Sequence, residues 1–141
     1  MVTRNPGQGE GAVSPRVLVC GSRSVHPDER EVLARLGTLG PDVTVVSGGA
    51  RGADSAGEAA ARLGGLRCEV FPAHWARLGG RAGIVRNLQM LNSGIDCVLA
   101  FWDGESRGTA HTLAEAKKRG IRVWIVRCPA VPREQEGDGD G

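Results

Sequence analysis

Val45-Val46-Ser47-Gly48-Gly49-Ala50-Arg51-Gly52-Ala53-Asp54 decides how this chain is read. Two β-branched residues run into a glycine pair. A third glycine follows, and then an alanine-rich segment from Ser55 to Leu63. The pattern predicts a strand, a tight Gly-rich turn and the start of a helix. Glycine admits positive φ and lets a ligand approach the backbone closely. The first N–H groups of a helix lack intrahelical partners, and the helix dipole places partial positive charge there. An anion, most often a phosphate, is the natural occupant. The stretch is neither the dinucleotide fingerprint G-x-G-x-x-G nor the P-loop, because no lysine follows the glycines. Taken alone, a ligand loop and a plain turn between strand and helix both fit it.

The flanking segments repeat the same grammar. Upstream, Arg16 to Cys20 is a short apolar run that ends in Gly21-Ser22-Arg23, and Pro27 to Arg30 opens a helix with Val32, Leu33, Leu36 and Leu39 on one face. Asp42 to Ser47 is the second strand, and Arg51 to Gly64 the second helix, stopped by Gly64-Gly65. Downstream, Leu66 to Phe71 reads as a third strand, Ala73 to Arg81 as a loop, and Ala82 to Ser93 as a helix. Asp96 to Phe101 is a fourth strand ending in the turn Asp103 to Thr109. A helix over Thr109 to Arg119 and a last strand, Arg122 to Val126, complete the pattern. Strands alternating with helices imply right-handed crossovers and a parallel sheet. The fold class is therefore α/β: a Rossmann-like, doubly wound sheet of five strands in the order 3-2-1-4-5. Ligands of such sheets bind beyond the strands' carboxyl ends, where the strand order reverses. The Gly21 and Asp103 turns flank that point, and the Gly48 turn sits beside it.

Composition narrows the function. The chain has 141 residues, which suits one domain. We divide it into an N-terminal arm (1–15), a single domain (16–128) and a polar tail (129–141), with arm and tail expected to be disordered. No apolar run approaches the roughly 18 residues that span a membrane. Residues 1–15 lack the apolar core of a signal peptide, so a cytoplasmic location is expected. The net charge of +2 and an aromatic content of 4% argue against a nucleic-acid groove, which needs basic and stacking side chains. Cys20, Cys68, Cys97 and Cys128 are scattered, as are His26, His74 and His111, so neither disulfides nor a metal site is expected. No cofactor is expected.

Four segments then match a known family. Val19 to Arg23, Ser47 to Asp54, Arg81 to Asn87 and Phe101 to Thr109 together resemble the SLOG superfamily, in particular its YspA/YpsA-related branch. More distant likenesses are to LOG phosphoribohydrolases, molybdenum-cofactor carrier proteins and DprA. The resemblance covers about residues 16–127. It implies a Rossmann-like fold that binds nucleotides or nucleotide-derived ligands, and a homo-oligomer. In LOG-type enzymes an arginine on the third helix and a carboxylate after a Gly-rich turn carry hydrolysis of an N-glycosidic bond. Arg86 looks like that arginine, and Gly104 to Thr109 looks like that turn. The glutamate pair that follows it in those enzymes is absent here, where the chain reads Ala110-His111-Thr112.

These observations give a candidate site. Gly21, Ser22 and Arg23 come from the first turn; Gly48, Gly49, Gly52 and Asp54 from the second. Arg86 and Asn87 come from the third long helix; Asp103, Gly104, Ser106, Arg107, Gly108 and Thr109 from the last turn. The leading function is binding of a nucleotide or nucleotide-derived, phosphate-bearing ligand, as sensor or carrier. The alternative is a nucleoside 5'-monophosphate phosphoribohydrolase, with Arg86, Asp103 and Asp54 as its catalytic groups. A DprA-like module for single-stranded DNA ranks third. Core packing is the first expectation for both tryptophans near these turns; of the two, Trp102 is the better candidate to stack a base, ahead of Trp75. Asp54, Ser106 and Thr109 also suit plain helix-start roles, and His111 a surface position.

Overall fold

Val17, Val19, Val45 and Leu99 alternate along their strands with Leu18, Val46 and Val98, and all seven are fully buried. Such strands must be covered on both faces. The computed structural model describes residues 14–50 and 52–129. In it β1 (Arg16–Gly21), β2 (Thr44–Ser47), β3 (Cys68–Val70), β4 (Cys97–Trp102) and β5 (Arg122–Arg127) form one sheet. Its order is β3-β2-β1-β4-β5 and every pairing is parallel, as expected from the sequence.

Helices α1 (Glu29–Gly37) and α2 (Ala53–Gly64) cover one face. Val32, Leu36, Ala60 and Ala61 pack there against Val17, Val19, Val45, Leu99 and Phe101. The short α3 (Trp75–Leu78) leads to α4 (Ala82–Leu91), and α4 with α5 (Arg107–Lys118) covers the other face. Met90, Leu91, Leu113 and Ala116 meet Leu18, Cys20, Val46, Val98 and Ala100 on that side. Each fully buried Leu, Val or Phe contributes about 1.5–3 kcal/mol relative to exposure. The two layers therefore hold the carboxyl ends of β1, β2 and β4 rigidly in register.

Helix starts follow from local chemistry. The Asp28 carboxylate accepts the Arg30 N–H at 2.7 Å and caps α1. Glycine at 65 ends α2 in the left-handed conformation. Helix α5 starts at Arg107 rather than Thr109, because Ser106 is its cap and accepts the Thr109 N–H. The stretch expected as a loop over Ala73 to Arg81 holds a four-residue helix and a 3-10 turn (Gly79–Arg81). The His74 carbonyl accepts the N–H groups of Arg77 and Leu78 at 3.1 and 2.8 Å. Gly79 and Gly80 hid this short turn in the sequence. Strand β3 is shorter than Leu66 to Phe71, since it is an edge strand with Cys68 and Val70 exposed.

Ser14 and Pro15, read from the sequence as the end of the arm, are tied to β2. The Pro15 carbonyl accepts the Thr44 N–H at 2.8 Å, and Ser14 Oγ lies 3.1 Å from Thr44 Oγ1. The rest of the expected arm and nearly all of the expected tail lie outside the described residues, as does Arg51. Among the described residues no helix is long and apolar enough to cross a membrane.

Candidate functional site

The β1 and β4 turns interlock first. Ser22 N–H donates to the Phe101 carbonyl at 3.0 Å, and Asp103 N–H donates to Ser22 Oγ at 3.1 Å. One oxygen of Asp103, Oδ1, accepts the N–H groups of both Glu105 and Ser106 at 2.8 Å. The other, Oδ2, accepts the Ser24 hydroxyl at 3.2 Å. Desolvation pushes the Asp103 carboxyl up, but these N–H donors and the Ser22 and Ser24 hydroxyls outweigh it and hold it below the usual range. Asp103 is thus ionised at neutral pH and shapes the turn that leads into α5.

The β2 turn is organised by Asp54, at the start of α2. Its Oδ2 accepts the N–H groups of Gly48 and Ala50, each at 3.2 Å. Asp54 is buried, and burial pushes its carboxyl up to about 6. The Ala50 N–H, the Arg86 charge and the Gly48 N–H oppose that rise, while Glu58 adds to it. Arg86, from α4, donates through Nη1 to the Gly48 carbonyl at 2.5 Å and through Nε to Asn87 Oδ1 at 3.0 Å. Its Nη2 has no protein acceptor among the described residues.

Two glycines of this turn answer to the protein itself. A Cβ on Gly48 would lie 2.8 Å from Arg86 Nη1 and 2.9 Å from Arg86 Cδ. Gly52 has a φ of 76° and ψ of −127°, a conformation that only glycine adopts readily. A Cβ there would stand 2.6 Å from the Ser22 carbonyl oxygen. Glycine at 52 thus lets α2 begin directly beneath the β1 turn.

Between these turns and α4–α5 lies a cavity of about 680 Å³, within the usual range of ligand sites. Gly21, Ser22 and Arg23 line it from β1, and Asp54 from α2. Arg86 and Asn87 line it from α4, and Asp103, Ser106, Arg107, Gly108 and Thr109 from the last turn. Four of the expected residues, Gly48, Gly49, Gly52 and Gly104, are not in its wall. They stand behind it: Arg86, Val70, the Ser22 carbonyl and Arg127, respectively, occupy the space a side chain would need.

The wall also holds residues that were not among the expected site residues. Ser24 and Ala50 belong to the turns, Gly80, Gly83, Ile84 and Met90 to the segment before and within α4, and Thr112 to α5. Helical periodicity could have placed Gly83 beside Arg86 and Asn87, since i, i+3 and i+4 share a face. His111 and Trp75 line the cavity as well. Trp102, the tryptophan preferred from sequence, does not: its Nε1 donates to the Ser106 carbonyl at 3.2 Å, and the Arg127 guanidinium lies 6.0 Å from its ring centre. Among the described residues no group of three or more His, Cys, Asp or Glu could hold a metal ion.

Known proteins agree with this architecture. The chain is 41% identical over 119 residues to the Gene 61 protein of Mycobacterium phage D29, covering 77% of this chain and 93% of the phage protein. Its fold is similar to that of DNA processing protein A (DprA) from Streptococcus pneumoniae, with a TM-score of 0.67 and 20% identity. That superposition covers 89% of this chain but 57% of DprA, so the chain spans little more than half the length of that protein. The sequence model of the YspA, cpYpsA-related SLOG family matches residues 15–78, which carry the Gly21 and Gly48 turns. The chain therefore belongs to the YspA, cpYpsA-related SLOG family.

Proposed function

We propose that the cavity binds a nucleotide or nucleotide-derived ligand with its phosphate at the start of α5, and that the protein senses or carries that ligand. The observation that supports this most is the meeting of a guanidinium nitrogen with no protein acceptor among the described residues, Arg86 Nη2, and a helix start in one cavity wall. At that start Arg107 and Gly108 present first-turn N–H groups, which by helix geometry have no intrahelical acceptor. The dipole adds partial positive charge there, and glycine at 108 keeps the approach open. The Thr109 hydroxyl, which shares a hydrogen with Ser106 Oγ at 3.2 Å, is a further donor. In the same wall, Asp103 Oδ2 and Asp54 are acceptors suited to ribose hydroxyls. Family membership supports the same ligand class.

Calorimetric titration with nucleoside monophosphates, ADP-ribose and cyclic dinucleotides tests this reading. At least one is expected to bind, and Arg86→Ala is expected to weaken it about tenfold or more, the effect of losing a charged hydrogen bond. Heat-free titrations with the whole panel would contradict it.

One observation favours a second reading, hydrolysis of the N-glycosidic bond. Asp54 lies in the cavity wall near Arg86, and a carboxyl raised to about 6 exchanges a proton near neutral pH. Asp103, held ionised by its turn, does not suit that step.

A further inference from the structure

The segments that line the cavity differ in chemistry. The β1 and β4 turns and the start of α5 give hydroxyls, carboxylates and N–H groups. The segment from α3 into α4 gives Trp75, Gly80, Gly83 and Ile84. Trp75 and Ile84 are large apolar side chains that remain about half exposed, at 52% and 50%. Exposing an indole costs hydrophobic free energy unless something covers it.

The placement of Trp75 narrows what that cover is. Its Cη2 lies 3.5 Å from where a Cβ of Gly83 would stand, and Arg86 Nη2 lies 3.8 Å from the same point. The indole tip and the guanidinium therefore converge over one bare stretch of α4 backbone, with no side chain between them. Gly80 has no atom within 4 Å of its own Cβ position, so the opening beside the indole is unobstructed. An indole that lines a cavity next to a cation, with a helix start in the same wall, offers the parts a nucleotide needs. A base has a π-face for stacking and carries its phosphate at the far end.

We propose that Trp75 stacks the base of the bound ligand and that the Gly80–Ile84 segment forms the base subsite. This rests on the nucleotide reading above and adds to it which lining segment takes the base. Binding energy then divides between two separable halves. The start of α5 and Arg86 hold the phosphate, whatever the base. Trp75 distinguishes a nucleotide from a bare sugar phosphate. Because stacking needs only a π-face, the subsite favours aromatic bases as a class over any single one.

The test uses the full chain with two kinds of probe. Ribose 5-phosphate reports the phosphate half, and AMP, GMP, CMP and UMP report both halves. Affinities are measured by calorimetry for wild type, Trp75→Ala and Trp75→Phe, with sedimentation velocity on each. Trp75→Ala is expected to lower the affinity for the tightest-binding nucleotide about tenfold or more, the effect of losing one aromatic–base stack. Trp75→Phe is expected to recover most of that loss, and ribose 5-phosphate affinity to stay unchanged in both variants. Equal nucleotide affinity in wild type and Trp75→Ala overturns the base subsite while leaving the phosphate site standing. If that equality comes with a change in sedimenting mass, the indole faces a second copy of the chain instead. An equal loss for both probes also overturns it, since Trp75 would then only support the fold. Failure of the wild type to bind these probes and also ADP-ribose and the cyclic dinucleotides removes the nucleotide reading itself, and the base subsite with it.

Discussion

Gly52→Val is expected to lower the unfolding free energy by about 3 kcal/mol or more, summing a forbidden backbone conformation with overpacking. The φ of 76° at this position excludes a β-branched residue. Its new Cβ would stand 2.6 Å from the Ser22 carbonyl and 2.9 Å from the Val25 carbonyl, which are backbone atoms that cannot rotate away. The Ser22 carbonyl also accepts the Val25 N–H at 3.1 Å, so moving it would open the β1 turn. The Gly52 carbonyl accepts the Ala56 N–H and starts α2. Urea denaturation compares the midpoints. A loss well under 1 kcal/mol would mean that the α2 start is not seated as described.

Asp54→Asn is expected to act in the opposite direction, and only above a certain pH. The folded-state pKa of about 6 lies above the ordinary carboxyl value of 3.8. Between those two values the folded protein holds a proton that the unfolded chain has released. Stability from this group is therefore highest at or below pH 4, falls as pH rises through 6, and stays flat above it. The full difference is on the order of 2–3 kcal/mol. Asparagine keeps an acceptor for the Gly48 and Ala50 N–H groups and never ionises. Asp54→Asn should thus melt several degrees above wild type at pH 7.5 and level with it at pH 4. A variant less stable than wild type at pH 7.5 would show that the ionised carboxylate supports the turn. The charge would then serve the fold, whatever it does for a ligand. If the site hydrolyses nucleotides, the same variant loses release of ribose 5-phosphate although its fold is firmer.

Much of this was readable from the chain because the strands announce themselves. Val17-Leu18-Val19-Cys20 and Cys97-Val98-Leu99-Ala100 are apolar on both faces, which only a sandwiched parallel strand requires. The strand order followed from the alternation of strands and helices, and it placed the turns at 21–23 and 103–109 side by side. The glycines were harder to read. A glycine that makes room for a ligand and one that makes room for the protein's own atoms look alike in sequence. Gly48 seats Arg86 and Gly52 clears the Ser22 carbonyl, contacts that span 38 and 30 positions of the chain. Trp75 was obscured for a related reason. Its exposure depends on how α3 folds back over Gly83, whereas Trp102 sits next to a motif in sequence while its indole is taken up by Ser106.

The central claim is that a ligand phosphate rests on the first turn of α5 beside Arg86. Backbone amide spectra of 15N-labelled protein, recorded during titration with the tightest-binding nucleotide, test it most directly. The Arg107, Gly108 and Thr109 amides and the Arg86 side-chain Nε are expected to show the largest shifts, and a parallel titration with ribose 5-phosphate should move the same set. Saturation of the protein with those four resonances unmoved, and the shifts gathered on another face, would contradict the account.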